Sequence, residues 1–232
     1  MTATDTASGS TAQPQSDETQ PQRKEWMRLP RTELGKYISR RASALQQSYL
    51  NDSSVARANL AELRRSVGRS AGADPVTWGI VFDGFPRRLM GVDDAPSPSE
   101  VAAYAALGLL AIHLQSATRP VHLPGVGLGA AVRLLASPSD GADREKAVMR
   151  RFQSLGTADV LEEVLHHARG LVQQFRHPPG GAAPIGLDYG LLAEDLVDLQ
   201  DPAHRDAVRL RWARDLYRSR PASDTTENNS EE

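Results

Sequence analysis

Apolar residues recur at three- and four-residue spacing along most of this chain, and no apolar–polar alternation runs long enough to make a strand. The pattern predicts a first helix over residues 32–49, with Leu34, Tyr37, Ile38, Leu45 and Tyr49 on one side. A second starts at Ser53 or Ser54, buries Leu60, Leu63 and Val67, and stops at Gly68, a residue type that tolerates a left-handed cap. A short helix around Trp78 is expected over 75–85, followed by a connection punctuated by proline and glycine. Ser97, Pro98, Ser99 and Glu100 then read as a capping box with proline in the first turn. The segment this box opens, 101–115, is apolar nearly all round and belongs in the centre of a core. Further helices are predicted over 126–136 and over 143–155, the latter with Val148, Met149, Phe152 and Leu155 inward. Residues 158–175 hold Leu161, Val164, Leu165, Ala168, Leu171, Val172 and Phe175 in unbroken helical spacing. After a Gly/Pro-rich loop at 177–186 come a helix over 188–199 and a last one, capped by Asp201 and Pro202 and ending near Arg218.

These elements make an all-α protein, a helical bundle built as one unit or as two packed helical subdomains, 23–135 and 136–220. Residues 1–22 and 221–232 hold almost no apolar side chains and cannot bury enough surface to offset chain entropy, so both are expected to be disordered acidic tails. The apolar window at 101–114 is too short to span a bilayer, and the N-terminus lacks a basic start followed by an apolar run. A soluble, cytoplasmic protein is therefore expected. With no cysteine, the chain has no disulfide, no thiolate metal site and no cysteine nucleophile.

The formal net charge of -2 averages unlike segments. Removing the seven carboxylates of the two tails leaves 22 acids against all 27 bases, so residues 23–220 carry +5. All but Lys24, Lys36 and Lys146 of those bases are arginine, the better bidentate ligand for phosphate. An arginine-rich codon bias would give the same composition, so placement matters more than number. In the last helix Arg211, Arg214 and Arg218 follow i, i+3, i+7 spacing, away from Val208, Trp212 and Leu216. Lys146, Arg150 and Arg151 cluster on the helix over 143–155; Arg57, Arg64 and Arg65 flank the apolar stripe of the second; Arg133 lies on the helix over 126–136. These ten residues are the candidates for contact with nucleic-acid phosphates. Exposed helix faces also carry such charge for solubility alone, here partly neutralised by Glu62, Glu145 and Asp215.

Three stretches give the chain a family resemblance: VARANLAELRRSVGR at 55–69, RRFQSLGTADVLEEVLHHARGLV at 150–172, and LDYGLLAEDLVDLQDPAHRDAVRLRWARDLY at 187–217, with YAALGLLAIHLQS at 104–116 fitting more loosely. Together they resemble the CasB family, the small subunit of Cascade, the type I-E CRISPR effector. The tails and the Gly/Pro-rich insert at 178–184 depart from that pattern. The resemblance implies a subunit that is not an enzyme and needs no cofactor. It implies as partners the large and backbone subunits of the complex, a second copy of itself, the heteroduplex of crRNA and target DNA, and the displaced DNA strand. Sequence would be read by guide pairing, while the protein supplies charge and shape. A helical scaffold whose arginines meet only acidic protein partners is the alternative.

Other patterns fail their structural context. Gly68, Ser70 and Gly72 match G-x-S-x-G, yet a predicted helix precedes them and Asp74-Pro75 follows, where a nucleophile elbow needs a strand and then a helix. Gly125, Gly127 and Ala130 match G-x-G-x-x-A without a preceding strand or a βαβ unit; a glycine-rich helix start is expected, whose amides could meet a phosphate as a secondary possibility. His166 and His167 are adjacent and point about 100° apart, unlike metal ligands at i, i+4. Glu162 with Glu163 and Asp195 with Asp198 read as solvated faces.

Overall fold

The computed structural model describes residues 28–136 and 142–218. The expectation of disorder at 1–22 and 221–232 lies outside the described residues. The helices are α1 (Glu33–Leu50), α2 (Ser54–Ser66), α3 (Pro75–Phe82), α4 (Pro98–His113), α5 (Leu128–Leu135), α6 (Ala142–Thr157), α7 (Leu161–Arg176), α8 (Tyr189–Gln200) and α9 (Arg205–Tyr217), with short 3-10 turns at Arg87–Leu89 and Pro179–Gly181. Among the described residues there is no strand beyond one isolated parallel bridge between His122 and Leu187, so the fold is all-α. No helix among them is long and apolar enough to cross a membrane.

Helix α4 forms for the local reasons its sequence gives. Ser97 Oγ accepts from Glu100 N at 3.1 Å while the Glu100 carboxylate accepts from Ser97 N at 2.7 Å, a closed capping box with Pro98 behind it. From Ala102 to His113 only Ala105 escapes burial, so every face of the rod meets protein. Helices α1, α2, α7 and α8 pack around it, α8 also lies along α1, and α5 packs on α9. Helices α7 and α8, which follow residue 136, thus share one core with α1 and α4, which precede it. Gly129 makes the α5–α9 contact close: a Cβ there would clash with the Trp212 carbonyl.

Two helix starts differ from expectation. Residues 158–160 are not helical: α6 runs on to Thr157, and Val160, extended at φ −118°, precedes α7. Helix α9 begins at Arg205, because Asp201 instead closes α8 and its carboxylate accepts from Ala203 N at 2.9 Å, holding 201–204 in a turn. Gly68 does stand at φ +88° just past the end of α2, where a side chain would be strained.

Candidate nucleic-acid interface

The expected stripe on α9 breaks at its first member. Arg211 turns into the α8–α9 contact, where Nη2 lies 2.9 Å from Asp195 Oδ1 and 2.7 Å from Asp198 Oδ2. Asp195, only 1% exposed, also accepts from Arg28 Nη2 at 3.1 Å and from the Trp212 indole at 2.7 Å. Burial alone would pull the Arg211 pKa down, but the fields and hydrogen bonds of Asp195 and Asp198 outweigh it, and the net direction is up. Asp195 is therefore the centre of a buried ionic cluster and not part of a solvated face, while Asp198 is half-buried at its edge. Arg214 is exposed; Arg218 pairs with Asp215 at 3.9 Å.

Helix α2 offers less than its sequence suggests. Arg57 holds Asp52 through both its carboxylate (2.9 Å) and its carbonyl (2.8 Å), and Arg65 pairs with Glu62. Arg64 is half-buried, donating to the Ala111 carbonyl at 3.1 Å. Burial, reinforced by nearby Arg176, lowers its pKa, and the charge sits favourably at the C-terminal end of α4. Arg133 does the same for α9, donating to the carbonyls of Asp215 (3.3 Å) and Arg218.

Helix α6 keeps its candidates on the surface. Lys146 meets Asp143 only loosely, at 3.8 Å, and Arg150 makes one long bond, from Nε to the Lys146 carbonyl at 3.4 Å. Arg151 lies over α7 at Gly170, where a Cβ would come within 2.6 Å of Nη1. Among the described residues neither Arg150 nor Arg151 has an ion pair.

A second basic site escapes the sequence reading. Arg31, Lys36 and Arg40 of the α1 region face Gly84, Pro86 and Arg88 across a cleft of about 590 Å³. Its one lining acid, Glu33, is held by Arg88, with Nη2 to Oε1 at 2.8 Å, and that hydrogen bond lowers the Glu33 pKa. Nearby, Glu194 accepts from the backbone N–H groups of Arg31 and Thr32, at 2.6 and 2.7 Å. Lys36 and Arg40 feel the field of Glu33, but Arg31, Lys36 and Arg40 form no direct ion pair among the described residues. Arg41 is spent elsewhere, donating to the Ile80 and Gly79 carbonyls at 2.9 Å each, which fixes α1 across the end of α3. The i, i+4 spacing of Lys36 and Arg40 on the polar side of α1 was a signal for this site; the approach of Arg88 from 55 residues away was not.

The fold also gathers Ser39, His122 and Asp188, residue types of a hydrolytic triad, with Ser39 Oγ 3.2 Å from His122 Nε2. Their polarity is wrong for catalysis. His122 Nδ1 accepts the Tyr189 N–H at 3.2 Å, so the neutral ring carries its proton on Nε2 and has no lone pair for the serine proton. Asp188, wholly buried, accepts from the amides of Gly125 (2.7 Å), Gly190 (2.9 Å) and Leu191 (3.2 Å). The cluster is a clasp that ties α1 to the loops around His122 and Asp188. Ser70 sits in a turn between α2 and α3, with no strand before it. Beside the start of α5, Asp215 Oδ2 lies 2.6 Å from where a Cβ on Gly127 would stand, so a carboxylate already adjoins that helix end. His166 and His167 stack edge to face at 5.4 Å, and no group of three metal-ligating side chains occurs among the described residues.

Comparison with known proteins agrees with this architecture. The chain is 32% identical to CasB from Thermobifida fusca, aligning over 82% of its own length and 99% of that chain with a TM-score of 0.66. The fold is also that of CasB from Thermus thermophilus (24% identity, 80% and 98% coverage, TM-score 0.54) and of M. ruber CasB (22% identity, 77% and 93%, TM-score 0.51). No match is found among curated proteins. The profile of the CRISPR-associated protein Cse2 matches residues 59–217, more than half of the chain. On this match and that to the Thermobifida fusca protein, the chain belongs to the CRISPR-associated Cse2 (CasB) family, whose members are small subunits of Cascade.

Proposed function

We propose that the chain is a non-catalytic small subunit of a crRNA-guided type I-E Cascade complex, holding target and displaced DNA strands by their phosphates and so stabilising the R-loop. Its partners are then the large and backbone subunits, a second copy of itself, the crRNA–DNA heteroduplex and the displaced strand. The observation that carries this reading is the cleft of Arg31, Lys36 and Arg40, three cations without a direct ion pair among the described residues, beside a glutamate already neutralised by Arg88. Arg150, Arg151, Lys146 and Arg214 extend the supply of exposed charge. Such groups contact a sugar–phosphate chain without reading its bases. A scaffold that contacts only protein remains the second reading, favoured by the commitment of Arg57, Arg64, Arg65, Arg133 and Arg211 to partners within the chain.

The test is target-DNA affinity of the assembled complex. Changing Arg31, Lys36 and Arg40 together to glutamine is expected to weaken binding by on the order of tenfold or more at low salt. Changing Arg57 and Arg65 to glutamine should leave affinity within about twofold, since those guanidiniums already hold carboxylates. Equal affinities for the wild type and the cleft variant would contradict the proposal.

A further inference from the structure

A second concavity of about 590 Å³ opens between α4 and α7, beside the end of α2. Its floor is Val101, Tyr104, Ala105 and Leu109 on α4 with Leu161 and Leu165 on α7. Val67 closes one end, seated where Gly108 lacks a side chain; a Cβ there would lie 2.7 Å from Val67 Cγ2. On each helix the lining residues span eight steps of the chain, 101 to 109 and 161 to 169, a groove length of roughly 12 Å at the helical rise. The rim carries Arg69 and Arg169, neither with an ion pair among the described residues, together with His166 and one acid, Glu162. An aliphatic trough between two packed helices with an excess of cations on its lip fits one kind of occupant well.

We infer that this groove seats an amphipathic helix of another protein subunit, with apolar anchors at i, i+3 or i+4, and i+7 and carboxylates flanking them to meet Arg69 and Arg169. The inference rests on the chain working inside an assembly, but not on which surface holds DNA. A nucleobase fits less well. Tyr104, the only ring in the floor, is 8% exposed with its hydroxyl 3.2 Å from that of Thr77, so it offers no stacking platform, and Glu162 would face a phosphate. The chain's own ends do not supply such a stripe: residues 1–25, 137–141 and 219–232 contain no Leu, Ile, Val, Phe, Trp or Tyr, and the stretch before Arg28 adds only Trp26 and Met27. The occupant must come from another chain and bring its own apolar stripe.

The test places the photo-crosslinking residue benzoylphenylalanine at Ser70, on the groove's edge, in the reconstituted complex, and identifies the crosslinked product by mass spectrometry. A peptide from a different subunit with the stated stripe and flanking Asp or Glu is expected. The paired change Arg69→Glu and Arg169→Glu, which touches no core residue, should cut the crosslinked fraction at least about fivefold, while Arg69→Lys with Arg169→Lys preserves it. Thermal unfolding of the isolated variants reports whether they fold. A crosslink to DNA, to RNA or within the same chain, no crosslink at all, or a yield indifferent to charge reversal overturns the inference. DNA affinity measured on the same samples separates this outcome from failure of the phosphate-binding proposal.

Discussion

Replacing Asp195 with alanine is expected to remove about 3–5 kcal/mol of folding stability, the cost of leaving buried charge unpaired. Three side chains lose a partner at once: Arg28, Arg211 and the Trp212 indole all donate to this one carboxylate. For a chain of this length the loss corresponds to a fall of on the order of 10 °C in the unfolding midpoint. Asp198 compensates little, because it reaches only Arg211. Adding Arg211→Met to the alanine variant should restore part of the loss, since the orphaned guanidinium goes with it. A single-variant loss below about 1 kcal/mol would mean that the cluster contributes little net energy.

The second large effect is a dependence on pH. His113 is wholly buried at the end of α4, its Nδ1 2.9 Å from the Tyr189 hydroxyl. Burial lowers its pKa to about 3 and the charge of Arg176 pushes the same way, against a weaker upward pull from the Ile185 carbonyl. The unfolded chain takes up the proton near 6.5 and the folded chain does not, so this histidine's contribution is complete above 6.5 and is lost as the pH falls towards 3. Between pH 7 and pH 5 the loss amounts to about 2 kcal/mol. Urea unfolding at the two pH values, compared with His113→Gln, isolates it: the wild type should lose about 2 kcal/mol more than the variant. Parallel losses in the two proteins would show that His113 is protonated in the fold.

What could be read beforehand was whatever is encoded within a few residues. The capping box at Ser97–Glu100 and the apolar rod behind it were legible because the two hydrogen bonds and the burial pattern lie within one segment. The start of α9 was misplaced because Asp201 suits a turn as well as it suits a cap. Side-chain partnerships across the chain left no local trace: Arg28 reaches Asp195 over 167 positions, and Arg64 reaches Ala111 over 47. Helical spacing identified Arg211 as lying off the apolar stripe, but α8 packs on that flank and supplies two aspartates. The cleft at Arg31, Lys36 and Arg40 was missed for the converse reason, since its other wall is the separate segment 84–88.

If unpaired cations on the surface of this chain serve as ligands for DNA phosphates, as we propose, salt dependence shows it most directly. Log affinity of the assembled complex for target DNA would be measured against log salt, for the wild type and for a variant with Arg31, Lys36, Arg40, Arg150 and Arg151 all changed to glutamine. Each lost phosphate contact should flatten the slope by about 0.7 on a single strand or about 0.9 on a duplex, so loss of all five is expected to lower it by roughly 4. Identical slopes for the two complexes would show that these side chains meet no phosphate, and would contradict the account.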